Sequence, residues 1–268
     1  MIKQLLCDAV ERQSNDDDVA VLLSGGVDSL SVAFAASHLN KNIHAYSFHL
    51  DTHLSYDFQK AKEVSELFGW KFTEVSIPTR HIVNDFLELS RLGCCKKTAY
   101  ECTYPFLYVY QKIRETEVLS GWAADGYYGV SKKAMMHYRH TQEAFDRFRN
   151  DYFEPDKCAN IVPHLAVAKK HSKKLITPYL DKSVSDFFMS QSWEDLNVPR
   201  QKHHVRSAFS EFDNIRVKNH LNLQLDSGIS DLFETLLNEP TLNWNRRTRV
   251  MDLCRDYANP PLSLETFL

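Results

Sequence analysis

Glycine is scarce in this chain: eight residues among 268, about half the usual share. The backbone therefore has few places where it can adopt conformations that side chains forbid. Five of the eight fall in two short segments, Gly25–Gly26 and Gly121, Gly126 and Gly129, and function is sought there. Also missing is any uncharged apolar run of roughly 18 residues, the length of a membrane helix. Met1–Glu11 carries Lys3, Asp8 and Glu11 where a secretory signal needs an apolar stretch, so the expectation is a soluble, cytoplasmic protein with no membrane association. Nor is there a basic excess. The formal net charge is −3, which argues against a chain built mainly to neutralise the phosphates of nucleic acid. The six cysteines, Cys7, Cys94, Cys95, Cys102, Cys158 and Cys254, show no C-x-x-C spacing; this disfavours a zinc site, and most are expected as buried, reduced thiols. Neither G-x-x-x-x-G-K-[ST] nor G-x-G-x-x-G occurs, which excludes a Walker-type loop and the dinucleotide fingerprint.

What is present describes an ordinary globular protein, with 43% hydrophobic and 25% charged residues. Val19–Leu23 is a continuous apolar run between the Asp16–Asp18 turn and Ser24-Gly25-Gly26, the pattern of a strand buried on both faces. Leu30, Ala33, Phe34 and Leu39 fall on one helical stripe, and Ile43–Phe48 has the character of a second strand. Asp57–Phe68 predicts a helix, Phe72–Ile77 a strand, Tyr104–Ile113 a helix and Glu117–Leu119 a strand. This alternation predicts an α/β fold, a mostly parallel sheet with helices on both faces. Beyond about Val130 no strand is expected. His140–Asn150, Ile161–His171, Asp181–Met189, Pro199–Phe212, Ile229–Leu237 and Arg246–Tyr257 predict helices, with Pro155, Pro163, Pro178, Pro199 and Pro240 between or within them. Residues 1–130 are thus expected to form an α/β core and 131–268 a mainly helical region, packed as one body because no linker separates them.

Leu23-Ser24-Gly25-Gly26-Val27-Asp28-Ser29 joins a buried strand to a helix. The first N–H groups of that helix have no internal partner, and its dipole favours an anion. Paired glycines allow a phosphate to come close, and Ser24 and Ser29 add hydroxyl donors. Asp28 would repel a phosphate unless a divalent cation stood between them, so the loop suggests Mg²⁺ on a pyrophosphate group. A plain tight turn with Asp28 and Ser29 capping the helix is the competing account.

Ser-Gly-Gly-x-Asp-Ser after a strand resembles the PP-loop of the ATP pyrophosphatases, and three further segments are similar to the synthetase domain of asparagine synthetase. These are Ser120-Gly121-Trp122-Ala123-Ala124-Asp125-Gly126 running to Gly129, Thr177-Pro178-Tyr179-Leu180-Asp181, and Lys202 to Phe209 followed by Arg216-Val217-Lys218. They occur in the family's order. The resemblance implies an adenine nucleotide alpha hydrolase-like fold, ATP and Mg²⁺ as cofactors, and cleavage of ATP between its α and β phosphates to adenylate a substrate. It implies that Asp28 and Asp125 hold the metal and that Lys218 neutralises charge on the α-phosphate or the acyl-adenylate. By the same carry-over Ser24, Gly25, Gly26, Val27, Ser29 and Lys202 bind the pyrophosphate, while Leu22, Ser120 and Gly121 meet the adenosine. Leu180 and Phe187 are expected in the core, and the aromatic helix Tyr104–Tyr110 there too.

The departures matter as well. Trp122 and Gly126 stand where the family carries acids, and Lys174-Leu175-Ile176 where it shows Glu-Ala-Arg. The acid substrate and the nitrogen nucleophile are therefore left open. The chain reaches its first strand within about 20 residues, too few for a glutaminase domain, so the expected nitrogen source is ammonia from solution, an amine, or a separate supplying partner. An alternative is an enzyme that modifies a base in tRNA or DNA by adenylation or sulfur insertion. Cys94, Cys95 and Cys102 would then carry sulfur or bind metal, and Lys169, Lys170, Lys173 and Lys174 with His164 and His171 would grip the phosphate backbone. A third possibility is a degenerate, non-catalytic nucleotide-binding protein.

Overall fold

The structure is a computed structural model that describes residues 1–153, 161–218 and 222–258. Helix α1 (Ile2–Gln13) precedes β1 (Asp18–Leu22), α2 (Val27–His38), β2 (Asn42–Leu50), α3 (Tyr56–Leu67) and β3 (Lys71–Ile77). Then come α4 (Ile82–Arg91), α5 (Lys97–Thr103), α6 (Phe106–Lys112), β4 (Glu117–Leu119) and the short α7 (Ala124–Tyr128). The remainder holds α8 (Lys132–His137), α9 (Gln142–Phe153), α10 (Ile161–Lys170), β5 (Lys174–Ile176), α11 (Lys182–Met189), α12 (Trp193–Asn197), α13 (His203–Ala208), α14 (Leu223–Asp226), α15 (Ile229–Glu234) and α16 (Val250–Asp256).

The five strands form one sheet in the order β3-β2-β1-β4-β5, every neighbouring pair parallel. Its core divides as a twice-covered sheet requires. From β1, Val19 and Val21 pack with α1, α2 and α3 on one face, while Ala20 and Leu22 pack with α4, α5, α6 and α15 on the other. Chain order runs from β1 through β2 to β3, then returns to place β4 on the opposite side of β1. The carboxyl ends of β1 and β4 therefore flank the sheet's switch point, where open α/β sheets bind ligands.

The sheet corrects the expectation that strands end near Val130. Lys174–Ile176 is the fifth strand, Val118 pairing with Leu175 and Leu119 with Ile176. Three residues opening on a lysine are too short for a period to show. The lysine is used: Lys174 Nζ donates to Glu117 Oε1 at 2.9 Å, and Glu117 Oε2 accepts from Ser14 Oγ at 2.7 Å and from the Asp16 N–H at 3.2 Å. Burial disfavours the charged carboxylate, but these hydrogen bonds outweigh it and hold the Glu117 pKa down at about 2.

Phe187 is buried as expected, whereas Leu180 is 42% exposed. The Thr177–Asp181 segment acts through its neighbours. Tyr179 is buried with its hydroxyl 2.8 Å from Ser31 of α2, and Asp181 caps α11 while binding Arg12 of α1 at 2.8 Å. Cys7, Cys94 and Cys254 are buried and Cys95 and Cys102 half-buried, all free thiols; Cys158 and Pro155 lie outside the described residues. Glycine conformations are less concentrated than expected. Gly25 and Gly129 have positive φ, but so do Gly69, Gly93 and Gly228 at helix ends and turns.

Candidate functional site

The loops after β1 and β4 face each other. The first is closed by its own hydroxyls: the Gly26 N–H donates to Ser24 Oγ at 3.2 Å, the Ser24 N–H to Ser29 Oγ at 3.2 Å, and the Ser29 hydroxyl to the Gly26 carbonyl at 3.2 Å. Gly25 takes φ +70°, and a Cβ there would stand 2.7 Å from Lys60 Cγ and 2.8 Å from the Ala61 nitrogen of α3. Gly26 has an ordinary φ of −77° and serves as N-cap of α2. The second loop meets the first at Gly121, where a Cβ would come 2.5 Å from the Asp28 carbonyl carbon and 2.6 Å from the Ser29 nitrogen. That approach brings Asp125, in the first turn of α7, opposite Asp28, in the first turn of α2.

Lys202 stands between the two acids. Its Nζ donates to Asp28 Oδ2 at 2.5 Å and to Asp125 Oδ1 at 2.6 Å. The residue is buried, in left-handed conformation at the start of α13, and its backbone N–H donates to Asn197 Oδ1 at 3.1 Å. Asn197 in turn donates to the Tyr128 carbonyl at 2.9 Å, so α12 ties Lys202 to the end of α7. Burial favours the neutral amine, but the facing carboxylates of Asp125 and Asp28 outweigh it and hold the Lys202 pKa above its ordinary value.

A cavity of about 480 Å³ opens over these groups. Leu22, Ser24, Gly25, Gly26, Val27, Asp28, Ser29, Ser120, Gly121, Asp125, Lys202 and Lys218 all line it. Lys218 is exposed, with its Nζ 3.7 Å from the centre of the Tyr56 ring, and no described contact joins it to Asp28 or Asp125. Its segment is held from below: the buried Arg206 donates to the Val217 carbonyl at 3.3 Å and to the Lys218 carbonyl at 3.0 Å, and the Tyr56 hydroxyl to the Arg216 carbonyl at 3.3 Å.

The cavity also has residues that sequence patterns do not single out. Tyr56 and Asp57 begin α3, beyond the carboxyl end of β2 and so at the same end of the sheet as the switch point between β1 and β4. Asp226 of α14 lies over them, accepting from the Asp57 N–H at 3.0 Å. Phe148 and Tyr152 come from α9, and only the tertiary packing brings them here. The aromatic helix divides its duties, Tyr104 and Tyr110 packing in the core while Phe106 and Val109 reach the cavity.

Of the side chains in the nucleic-acid reading, His164 and Cys102 line this same cavity. His164 is buried, stacked on Phe106 with ring centres 4.1 Å apart, and accepts from or donates to the Tyr110 hydroxyl at 3.0 Å. Burial pushes its pKa down to about 3, leaving it neutral. Lys170 binds Glu88, Lys173 donates to the Glu115 carbonyl at 2.8 Å, and Lys174 binds Glu117. Of the three cysteines in that reading, burial pushes the Cys94 thiol up and the Cys102 thiol up to about 12, which opposes the thiolate form at these two. Among the described residues no group of three or more His, Cys, Asp or Glu side chains is placed to hold a metal ion, and no helix is long and apolar enough to cross a membrane.

Compared with known proteins, residues 1–160 match the asparagine synthase family. No curated protein matches the sequence. Among solved structures, the chain is similar to an NH₃-dependent NAD synthetase from Campylobacter jejuni, with 15% identity, 96% of this chain and 91% of that one covered, and a TM-score of 0.41. It is similar to a U34-tRNA thiolase from Methanococcus maripaludis, with 13% identity, 96% and 77% covered, and a TM-score of 0.40. It is also similar to an NMN synthetase from Francisella tularensis, with 15% identity, 92% and 93% covered, and a TM-score of 0.36.

Proposed function

The chain belongs to the asparagine synthase family, and from that premise we propose that it is an ATP-dependent, AMP-forming ligase. It adenylates a carboxylate and passes the acyl group to ammonia or another amine, forming an amide. The observation that carries this reading is the meeting of Asp28 and Asp125 on one cation beside the N-terminus of α2.

The site fits Mg²⁺. An ammonium group stands between the two carboxylates, so the place already suits a cation, and two carboxylates completed by phosphate oxygens and water suit a hard ion that rarely uses an all-protein cage. Asp28 and Asp125 would hold it, and once bound it would draw charge off the pyrophosphate, making that a better leaving group.

The chain's own residues supply the rest. The hydroxyls of Ser24 and Ser29 and the Gly26 amide exchange their internal hydrogen bonds for phosphate oxygens, and the amides of Gly25 and Val27 donate beside them at the helix terminus. Lys202 would yield its place between the two acids and turn its ammonium group to the pyrophosphate as a positive charge. Leu22, Ser120 and Gly121 pack and hydrogen-bond the adenosine. Lys218, swinging off the Tyr56 ring, donates to oxygens of the α-phosphate. There the substrate carboxylate oxygen attacks phosphorus, the bond to the bridging oxygen breaks, and pyrophosphate leaves with the electron pair. The amine nitrogen then attacks the acyl carbon, AMP departs with the electrons of the carbon–oxygen bond, and the surplus proton on nitrogen passes to solvent. In this scheme residues 1–130 supply the loops that cradle the nucleotide, while residues 131–268 add Lys202 and Lys218 and much of the side that meets the acid.

The test is isotope exchange of labelled pyrophosphate into ATP, dependent on an added acid, with AMP as the nucleotide product. Release of ADP and phosphate with every acid tried would end this reading.

A further inference from the structure

The part of the cavity beyond Asp125 is walled by rings. Trp122 leads into α7, and Phe148 and Tyr152 face the cavity from α9 with ring centres 6.2 Å apart. Gly126 explains how Tyr152 gets there: a Cβ at 126 would stand 2.4 Å from Tyr152 Cδ1 and Cε1. The ring occupies the space a side chain at that position would fill. The polar neighbours on this wall, Ser131 and Gln201, carry no charge. Among the described residues the charged groups that line the cavity lie elsewhere, Lys218 resting against the Tyr56 ring. Asp28 and Asp125 face Lys202, Arg206 is turned to backbone carbonyls, and Asp57 and Asp226 belong to the start of α3 and the segment laid over it.

Resting on the adenylation reading, we propose that the acid substrate is an aryl carboxylate, whose ring stacks among Trp122, Phe148 and Tyr152 while its carboxylate points toward the nucleotide. A flat apolar body gains both burial and ring–ring contact against such a wall. An α-amino acid placed there would bring an ammonium group out of water, and among the described residues that line the wall there is no carboxylate to receive it. The two positions where the family pattern carries acids, 122 and 126, are thus given over jointly to aromatic surface, the second by making room for a neighbour.

Binding and turnover are measured side by side on the full chain. Saturation-transfer NMR with Mg-ATP present compares benzoate, 4-hydroxybenzoate and aspartate, and pyrophosphate exchange is read for the same three acids. The expected result is binding of the aryl acids and exchange at least tenfold more efficient with one of them than with aspartate. Trp122→Leu should raise the KM for the aryl acid at least tenfold with the KM for ATP within twofold, and Trp122→Phe should restore most of the loss. Aryl acids that bind without exchange would overturn the adenylation reading and leave the substrate class standing. Absence of aryl binding, a preference for aspartate, or a Trp122→Leu variant with unchanged KM would overturn the substrate class itself.

Discussion

The backbone of Asp28 and the bare α-carbon of Gly121 interlock: a Cβ on Gly121 would lie 2.5 Å from the Asp28 carbonyl carbon. Backbone cannot yield as a flexible side chain can, so Gly121→Ala must push the loops after β1 and β4 apart. We expect a stability loss of about 1–3 kcal/mol from overpacking together with loss of nucleotide binding. Thermal denaturation and calorimetry with ATP check both, and an alanine variant that binds ATP normally would contradict the close fit.

Lys202 is the cation that lets Asp28 and Asp125 face one another in the ligand-free protein. Lys202→Met removes a buried positive charge from between the two carboxylates. Removing one partner of a buried pair costs about 3–5 kcal/mol, and the 42% exposure of the Asp125 side chain brings the expected loss to about 2 kcal/mol. Because the remaining charge is negative, added Mg²⁺ should recover stability in the variant more than in the wild type. Denaturation in chelator and in Mg²⁺ reads the difference, and equal responses would refute it.

Glu117 predicts an acid limb of stability. Its folded pKa, at about 2, lies below the ordinary carboxylate value of about 4.3. A depressed pKa contributes stability that is present above the unfolded value and lost as pH falls through the folded one, here between about 4.3 and 2. The contribution is on the order of 3 kcal/mol. Glu117→Gln should be less stable at neutral pH and show a flatter decline across that window than the wild type.

Tyr56 holds the ammonium group of Lys218 over its ring. Contacts of this kind are worth about 0.5–1 kcal/mol when exposed. Because Lys218 must leave the ring to reach the α-phosphate, Tyr56→Leu should change kcat/KM by no more than severalfold, whereas Lys218→Ala, which removes the charge proposed to act there, should lower it far more. If the two variants were equally impaired, the ring would be doing something other than positioning that lysine.

Much of the fold is legible in the chain because its signals are local. The run Val19–Leu23 between an acidic turn and two glycines reads as a buried strand and is one, Asp18–Leu22. The two loops carry their own punctuation. Lys174–Ile176 escapes notice because it is too short to show a period and begins with a charge, while Leu180, apolar in sequence, is left exposed where its segment turns. The reach of Tyr152 is not legible at all, since it depends on α9 crossing α7 at Gly126. The convergence of Lys202 on two acids far away in sequence is likewise a property of the packed chain. Local motifs name the participants, and long-range packing decides which of them meet.

The fifth strand carries a practical lesson for dissecting this molecule. It lies at Lys174–Ile176, beyond the stretch 1–160 that the family match spans, and it covers the outer margin of β4. A fragment cut at the end of that match would leave the backbone of Val118 and Leu119 bare on one side, beside a strongly apolar interior. Such a margin recruits other chains, so the excised piece should clump rather than stand as a soluble nucleotide-binding unit.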